Sequence, residues 1–300
     1  MTPTTTPATP TPSGGHHPGG SRPGASGPGE TRHGAVRPGA VRLGLLRTGI
    51  ELRQFFRERD SVVFTFAFPV ILLFIFGSVF TSNLAPGVSF TQYFIAGMIA
   101  SGVVLSSFQT LAISIAIERD DGTLKRLRGT PMPPAAYFFG KIGLVLVTSV
   151  AQFAVLLAVG ALLFELDLPT SPDLWLRFTW IFVLGVVAGT VLGIAYSSLP
   201  RSAKSAGAVV SPVVIVLQFI SGVFFVFTEL PSWMQSVGSL FPLKWLAQGM
   251  RSVFLPESFA AQEAAGSWQL PTTALVLALW TVVGLVLCLR TFRWTRRDAG

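Results

Sequence analysis

The feature that most constrains this chain is a series of apolar runs too long for a soluble core. FTFAFPVILLFIFGSVF and FIAGMIASGVVLSSFQTLAISIAI carry no charged residue at all. About 20 apolar residues at 1.5 Å rise cross a hydrocarbon core, and a soluble helix of that length would show a polar stripe instead. Six such runs are predicted to span a membrane: Val62 to Phe80, Phe90 to Ile117, Ala136 to Phe164, Trp175 to Tyr196, Ala206 to Phe227 and Thr272 to Leu289. The chain therefore reads as an all-α membrane protein.

Basic residues orient the spans. With the N-terminus inside, 19 of the 22 Lys and Arg fall on the inner side, and only Arg177, Lys244 and Arg251 fall outside. Positive charge collects in short cytoplasmic segments, so both termini are expected in the cytoplasm of a multi-pass protein of the cell (plasma or inner) membrane. The net charge of +8 then reflects orientation rather than nucleic-acid binding.

Residues 1–40 contain eight Pro and nine Gly, a composition that cannot bury enough apolar surface to fold, so a disordered cytoplasmic tail is expected there. It lacks the apolar stretch of a cleavable signal peptide. His16, His17 and His33 lie in it, where no fold would hold them as metal ligands. Cys288 is the single cysteine, which excludes an internal disulfide, and its apolar surroundings suit a packing residue. The rest, 41–300, forms the membrane domain. It opens with LGLLRTGIELRQFFRERD, in which Leu45, Leu52, Phe55 and Phe56 share one arc while Arg47, Arg53 and Arg57 point elsewhere. That pattern is an amphipathic helix at the interface, either a plain anchor or a partner contact. Gly185, Gly189 and Gly193 recur every fourth residue in the fourth span, a close-packing face used within the bundle or between subunits.

Chemistry is scarce. The span interiors hold no Asp or Glu, only groups such as Gln109, Thr148, Gln152 and Gln218, which disfavours proton coupling and intramembrane proteolysis. No catalytic or metal-ligating set is expected. No G-x-x-x-x-G-K-[ST] loop occurs, since Gly140-Lys141 continues into Ile142 without the upstream glycine. A transporter built this way must draw its energy from another chain.

Charge concentrates instead in IERDDGTLKRLRGTPMPP, residues 117–134, although only 12% of the chain is charged. Asp120 or Asp121 can cap a short helix, and Lys125, Arg126 and Arg128 suit its C-terminal end. Gly129 and Pro131 stop it, and Leu124 and Leu127 give it a small apolar face. It is either a docking element or a solvated loop that enforces topology.

This stretch resembles the cytoplasmic coupling-helix segment of ABC-2 type transporter permeases, a Glu followed by G-T-[LIM] and then T-P, matched by Glu118, Gly122, Thr123, Leu124, Thr130 and Pro131. A second stretch, SGVFFVFTELPSWMQSVGSLFPLKWLAQGMRSVF, is similar to the family's S-G-x-x-F-P-x-x-x-L-P-x-W…P-x-x-W pattern at Ser221, Gly222, Phe225, Leu230, Pro231, Trp233, Pro242 and Trp245, with Val226 where a proline is common. The resemblance covers about residues 45 to 297 and sits nearest the daunorubicin-resistance-like exporters. It implies the type V exporter fold, with extracellular re-entrant helices between the fifth and sixth spans. Trp233 and Trp245 would be interfacial anchors beside an outer gate, the alternative being a simple extracellular loop.

The resemblance further implies the permease subunit of an ATP-driven exporter. Its partners would be two copies of a separate ATPase, which carries the ATP and Mg, and a second permease subunit, expected as an identical copy. No cofactor is expected in this chain. The coupling helix would use Glu118, Asp121, Gly122, Thr123, Leu124, Leu127 and Pro131, and the outer gate Gly222, Pro231, Trp233, Pro242 and Trp245. A hydrophobic small molecule such as a drug would pass along the dimer interface, by Phe108, Gln109, Gln152 and Gln218. Export of polysaccharide or lipid-linked glycan, a proton-coupled transporter, and a non-transporting membrane anchor are the alternatives.

Overall fold

A computed structural model describes residues 40–292 except 81, 165 and 167. The expected tail therefore lies outside the described residues apart from Ala40, as do Arg293, Arg296 and Arg297. Among the described residues six helices are long and apolar enough to cross a membrane, and the chain is a multi-pass membrane protein.

Helix α1 (Ala40–Arg57) is the amphipathic segment, and after Glu58 the chain enters the first span, α2 (Arg59–Val79). A small hairpin, β1 (Asn83–Ala85) with β2 (Val88–Ser89), turns at Gly87, whose φ is +77°. The second span opens on a capping box. The Gln92 amide donates to Ser89 Oγ at 3.2 Å and the Ser89 amide to Gln92 Oε1 at 3.0 Å, so two otherwise orphaned donors are satisfied. It runs as α3 (Phe90–Val104), a π-helical turn (Leu105–Thr110) and α4 (Leu111–Asp120), three residues longer than predicted. After α5 (Thr123–Arg128) come the third and fourth spans, α6 (Pro134–Leu163) and α7 (Pro172–Tyr196), each started by a proline in its first turn. There the missing N–H costs no hydrogen bond.

The fifth span, α8 (Ala203–Ile220), ends seven residues before the predicted Phe227. Ser221 and Gly222 break it, Gly222 having a φ of +73° that only glycine adopts at little cost. The chain turns there into a short 3-10 turn (Phe227–Glu229), α9 (Ser232–Ser239), α10 (Pro242–Phe254) and a second 3-10 turn (Glu257–Gln262), before the last span, α11 (Leu270–Thr291).

Span two is the centre of the bundle. Nearly every residue of α3 is buried, whereas α2 buries only Pro69 and Leu73, and α11 only Thr273, Leu277 and Gly284. Helices α6, α7 and α10 pack around α3, α8 lies along α4, and α11 lies along α7. The outer faces are greasy: Leu162, Leu289 and Phe64 are 82%, 79% and 70% exposed. Such faces would aggregate in water and are satisfied by lipid.

The glycine strip of α7 is filled from within the subunit. Gly185 faces Leu246 of α10, and Gly189 and Gly193 seat the π turn: a Cβ on Gly193 would lie 2.8 Å from the carbonyl oxygens of both Ser107 and Phe108.

Candidate functional site

Two polar assemblies stand at opposite ends of this oily bundle, and the first is built on the charged segment. Between α4 and α5 the chain must reverse, and Gly122 does so with φ +79° and open space around it. Asp121 Oδ1 accepts the Thr123 amide at 2.8 Å, and Arg126 donates to Thr123 Oγ1 at 3.0 Å. Leu124 is wholly buried and Leu127 half-buried, while Lys125, Arg126, Arg128 and Pro131 are exposed. The helix therefore lies with its apolar face on the bundle and its basic face outward.

The other acids of the segment reach away from α5. Asp120 Oδ2 accepts the Ala203 amide at 2.9 Å, at the N-terminus of α8, where a carboxylate also suits the helix dipole. Arg119 donates to the Pro200 carbonyl at 2.9 Å. Of the two predicted caps, then, Asp121 serves the local turn and Asp120 serves the fifth span.

Glu118 points into the protein rather than along the docking face. Its Oε1 lies 2.7 Å from Lys141 Nζ, and its Oε2 accepts the Tyr137 hydroxyl at 2.7 Å. Lys141 also contacts Glu51 at 2.8 Å, and Glu51 pairs with Arg47 at 2.7 Å. Two cations and two carboxylates are thus brought together from α1, α4 and α6. Lys141 is 1% and Glu51 4% exposed. Charges so buried survive only when paired, because removing them from water costs several kcal/mol each. In the sequence Lys141 counts only among the inner basic residues, and Glu51 carries no motif. A signal was present, since Lys141 is the lone charge of α6 and Glu51 the lone acid of α1.

At the other end, α10 is almost entirely buried among the spans although it is not one of them. Arg251 is its anchor. The guanidinium donates to Glu263 through Nε at 2.6 Å and Nη2 at 3.2 Å, and to the Gly222 carbonyl at 3.3 Å. It stacks 4.6 Å from the Tyr93 ring, and the Tyr93 hydroxyl accepts the Phe227 amide at 3.1 Å. Burial is the largest influence and lowers the Arg251 pKa, but Glu263 and Tyr93 together outweigh it and hold the value above the ordinary one. The turn at Gly222, the long connection before α11 and span two are tied to one side chain. Lys244 donates to Gln248 Oε1 at 2.5 Å and lies 3.6 Å from the Trp245 ring centre. No carboxylate comes within ion-pair distance of it among the described residues, and burial lowers its pKa to about 8.

The predicted gate residues separate here. Trp233, on α9, is 64% exposed, as an anchor would be. Trp245 is only 7% exposed and donates to the Ser239 carbonyl at 2.7 Å, so it packs the joint between α9 and α10 instead. Pro231 precedes α9 and Pro242 opens α10, each at a helix start where its ring fits.

The expected path residues have partners within the subunit. Gln152 accepts from Ser106 at 3.2 Å and Gln218 bonds Ser101, each pair joining span two to a neighbouring span of the same subunit. They are 1% and 5% exposed, and within the subunit they hold helices together. Phe108 is buried against Tyr196, with ring centres 5.3 Å apart. Gln109 is half-buried beside Ser211, at 3.4 Å.

Six spans, a charged connector and a buried polar cap make up a multi-pass membrane protein. Residues 47–255, more than half of the chain, match the ABC-2 type transporter family. The chain belongs to that family. It is 24% identical to YvfS of Bacillus subtilis (strain 168), provisionally named a transport permease, over 192 residues, covering 64% of this chain and 77% of that protein. It is 24% identical to YadH of Escherichia coli (strain K12), named an inner membrane transport permease, over 192 residues, 60% and 70% of the two chains. YbhR of the same strain, provisionally named a multidrug ABC transporter permease, is 22% identical over 173 residues, 58% of this chain but only 46% of that protein.

Proposed function

We propose that this chain is the membrane-spanning subunit of an ATP-driven exporter that moves a hydrophobic small molecule, energised by a separate ATPase. One observation carries the reading. The charged segment is bonded to three parts of the bundle at once: to α6 through Glu118 and Lys141 at 2.7 Å, to α1 through Glu118 and Arg47 at 3.6 Å, and to α8 through Asp120. A displacement of α5 would pass through the Gly122 turn and the buried Leu124 to α4, and from Glu118 and Asp120 to spans three and five. Its exposed face, with Lys125, Arg126 and Arg128, is the surface offered to the ATPase, on the cytoplasmic side together with both termini.

ATP would act by binding two states of the ATPase unequally, because only differential affinity shifts such an equilibrium. Two copies of this chain would pair with two ATPases, and α9 and α10 would close the pathway on the outer side as re-entrant helices. The multidrug name of YbhR supports the substrate class.

The test is co-purification with a stand-alone ATPase co-expressed with this chain, followed by an ATPase assay in lipid. The expected result is a stable complex whose ATP hydrolysis rises with a hydrophobic drug. Transport that collapses with a proton uncoupler while ATP stays constant would overturn the reading.

A further inference from the structure

Helix α1 divides its circumference into three strips. One, with Gly44, Glu51 and Phe55, is buried against the bundle. The next, with Val41, Leu45, Leu52 and Phe56, spans about 60° at 100° per residue, and all but Leu52 are more than half exposed. Beyond it Arg42, Arg53 and Arg57 fall within another arc of about 60°, which also holds the exposed Leu46, centred about 100° from the apolar strip and away from the buried side. All three arginines are exposed, and none has an ion-pair partner among the described residues. The fourth basic residue of the helix, Arg47, is the one that turns inward and is paired.

The depth of this helix follows from what it touches. Thr48 donates to the Phe139 carbonyl at 3.5 Å, Lys141 meets Glu51, and Gly143 faces Thr48. Contact thus falls five to nine residues into α6, which begins at Pro134 and has 30 residues. At 1.5 Å per residue α6 is about 45 Å long, and the contact lies about 8 to 14 Å from its end, near the edge of a hydrocarbon core about 30 Å thick. At that level an exposed apolar strip sits in acyl chains, and a strip about 100° further round sits among headgroups.

We infer that the Arg42, Arg53 and Arg57 ridge is a binding surface for anionic phospholipid headgroups. Three guanidiniums on one line at headgroup depth, without carboxylate partners, match phosphate in charge and in fork geometry. The apolar strip beside them holds the helix at that depth by burying Leu45 and Phe56. The paired Arg47 shows that the helix can satisfy an arginine internally, so the three left outward mark a surface that an external anion completes.

The test is a lipid titration of the purified full-length protein, read by native mass spectrometry, with phosphatidylglycerol against phosphatidylcholine. Each surface arginine contributes about fivefold to binding an anionic lipid. The triple variant R42Q/R53Q/R57Q should therefore lose at least tenfold of the preference for phosphatidylglycerol, and R42K/R53K/R57K should keep most of it. Raising the salt concentration should weaken the wild-type preference and leave the glutamine variant unchanged. An undiminished preference in the glutamine variant overturns the inference. So does loss of ATPase co-purification with lipid preference intact, because the ridge would then serve a protein. If the glutamine variant does not fold, equal lipid binding by wild type at low and high salt overturns it as well.

Discussion

Lys141 and Glu118 form a 2.7 Å ion pair in the interior, although 22 residues of turning chain separate the lysine from the carboxylate. Replacing Lys141 with Met leaves Arg47 as the one cation for both Glu118 and Glu51 and should cost about 3 kcal/mol. Thermal unfolding in detergent would show it as a large drop in melting temperature. Adding Glu51→Gln to that variant should recover part of the loss. A single Lys141→Met variant as stable as wild type would show that the four charges are not a unit.

Gly122 has a left-handed φ of +79° and no atom within 4 Å of where a Cβ would stand. Substitution by Ala is opposed by conformation alone, by about 1 kcal/mol, and should lower transport modestly. Gly122→Pro cannot adopt that φ, so the variant should insert normally and lose transport. Membrane fractionation and a drug-efflux assay on the same cells measure both.

Gly193 and Gly207 give a matched pair. A Cβ on Gly193 meets two carbonyl oxygens of the π turn, whereas Gly207 has nothing within 4 Å. Gly193→Ala should cost about 1–3 kcal/mol, because backbone cannot yield as a side chain can. Gly207→Ala should be neutral or stabilising by up to about 1 kcal/mol, through helix propensity. Melting temperatures of the two variants decide it.

Arg251→Met leaves Glu263 charged and unpaired in the cap and should destabilise by about 3–5 kcal/mol. The double variant Arg251→Met/Glu263→Met should restore most of that, since apolar groups of similar size replace the pair. Recovery in the double variant separates a charge effect from lost packing, and no recovery would point to the contact of Arg251 with Tyr93.

Lys244 supplies a pH dependence. Its folded pKa is about 8, lowered from 10.5 chiefly by burial. Below pH 8 the lysine is charged in both states and the full burial cost is present. Between 8 and 10.5 the unfolded chain binds the proton more readily, so stability rises with pH. Wild type should therefore gain melting temperature relative to Lys244→Met between pH 7.5 and 10. A constant difference across that range would remove Lys244 as the titrating group.

The six spans were legible because a run of apolar residues declares itself locally: lipid on most sides demands little of any distant residue. The motifs around Gly122 and Gly222 were legible for a related reason, since glycine and proline set backbone direction where they stand. The same locality explains the fifth span, where apolar composition continued to Phe227 but Gly222 had already turned the chain.

What the sequence by itself determined, then, is where the chain crosses the bilayer and where it turns. Only the tertiary structure decided whom the polar groups meet. Asp120 caps a helix 83 residues away, Lys141 meets Glu51 from 90 residues before it, and Gln152 joins Ser106 across 46. The role of each such group is set by its partner, not by its own type. In a low-dielectric interior an unpaired charge or amide is costly, so the fold brings distant partners such as these within reach.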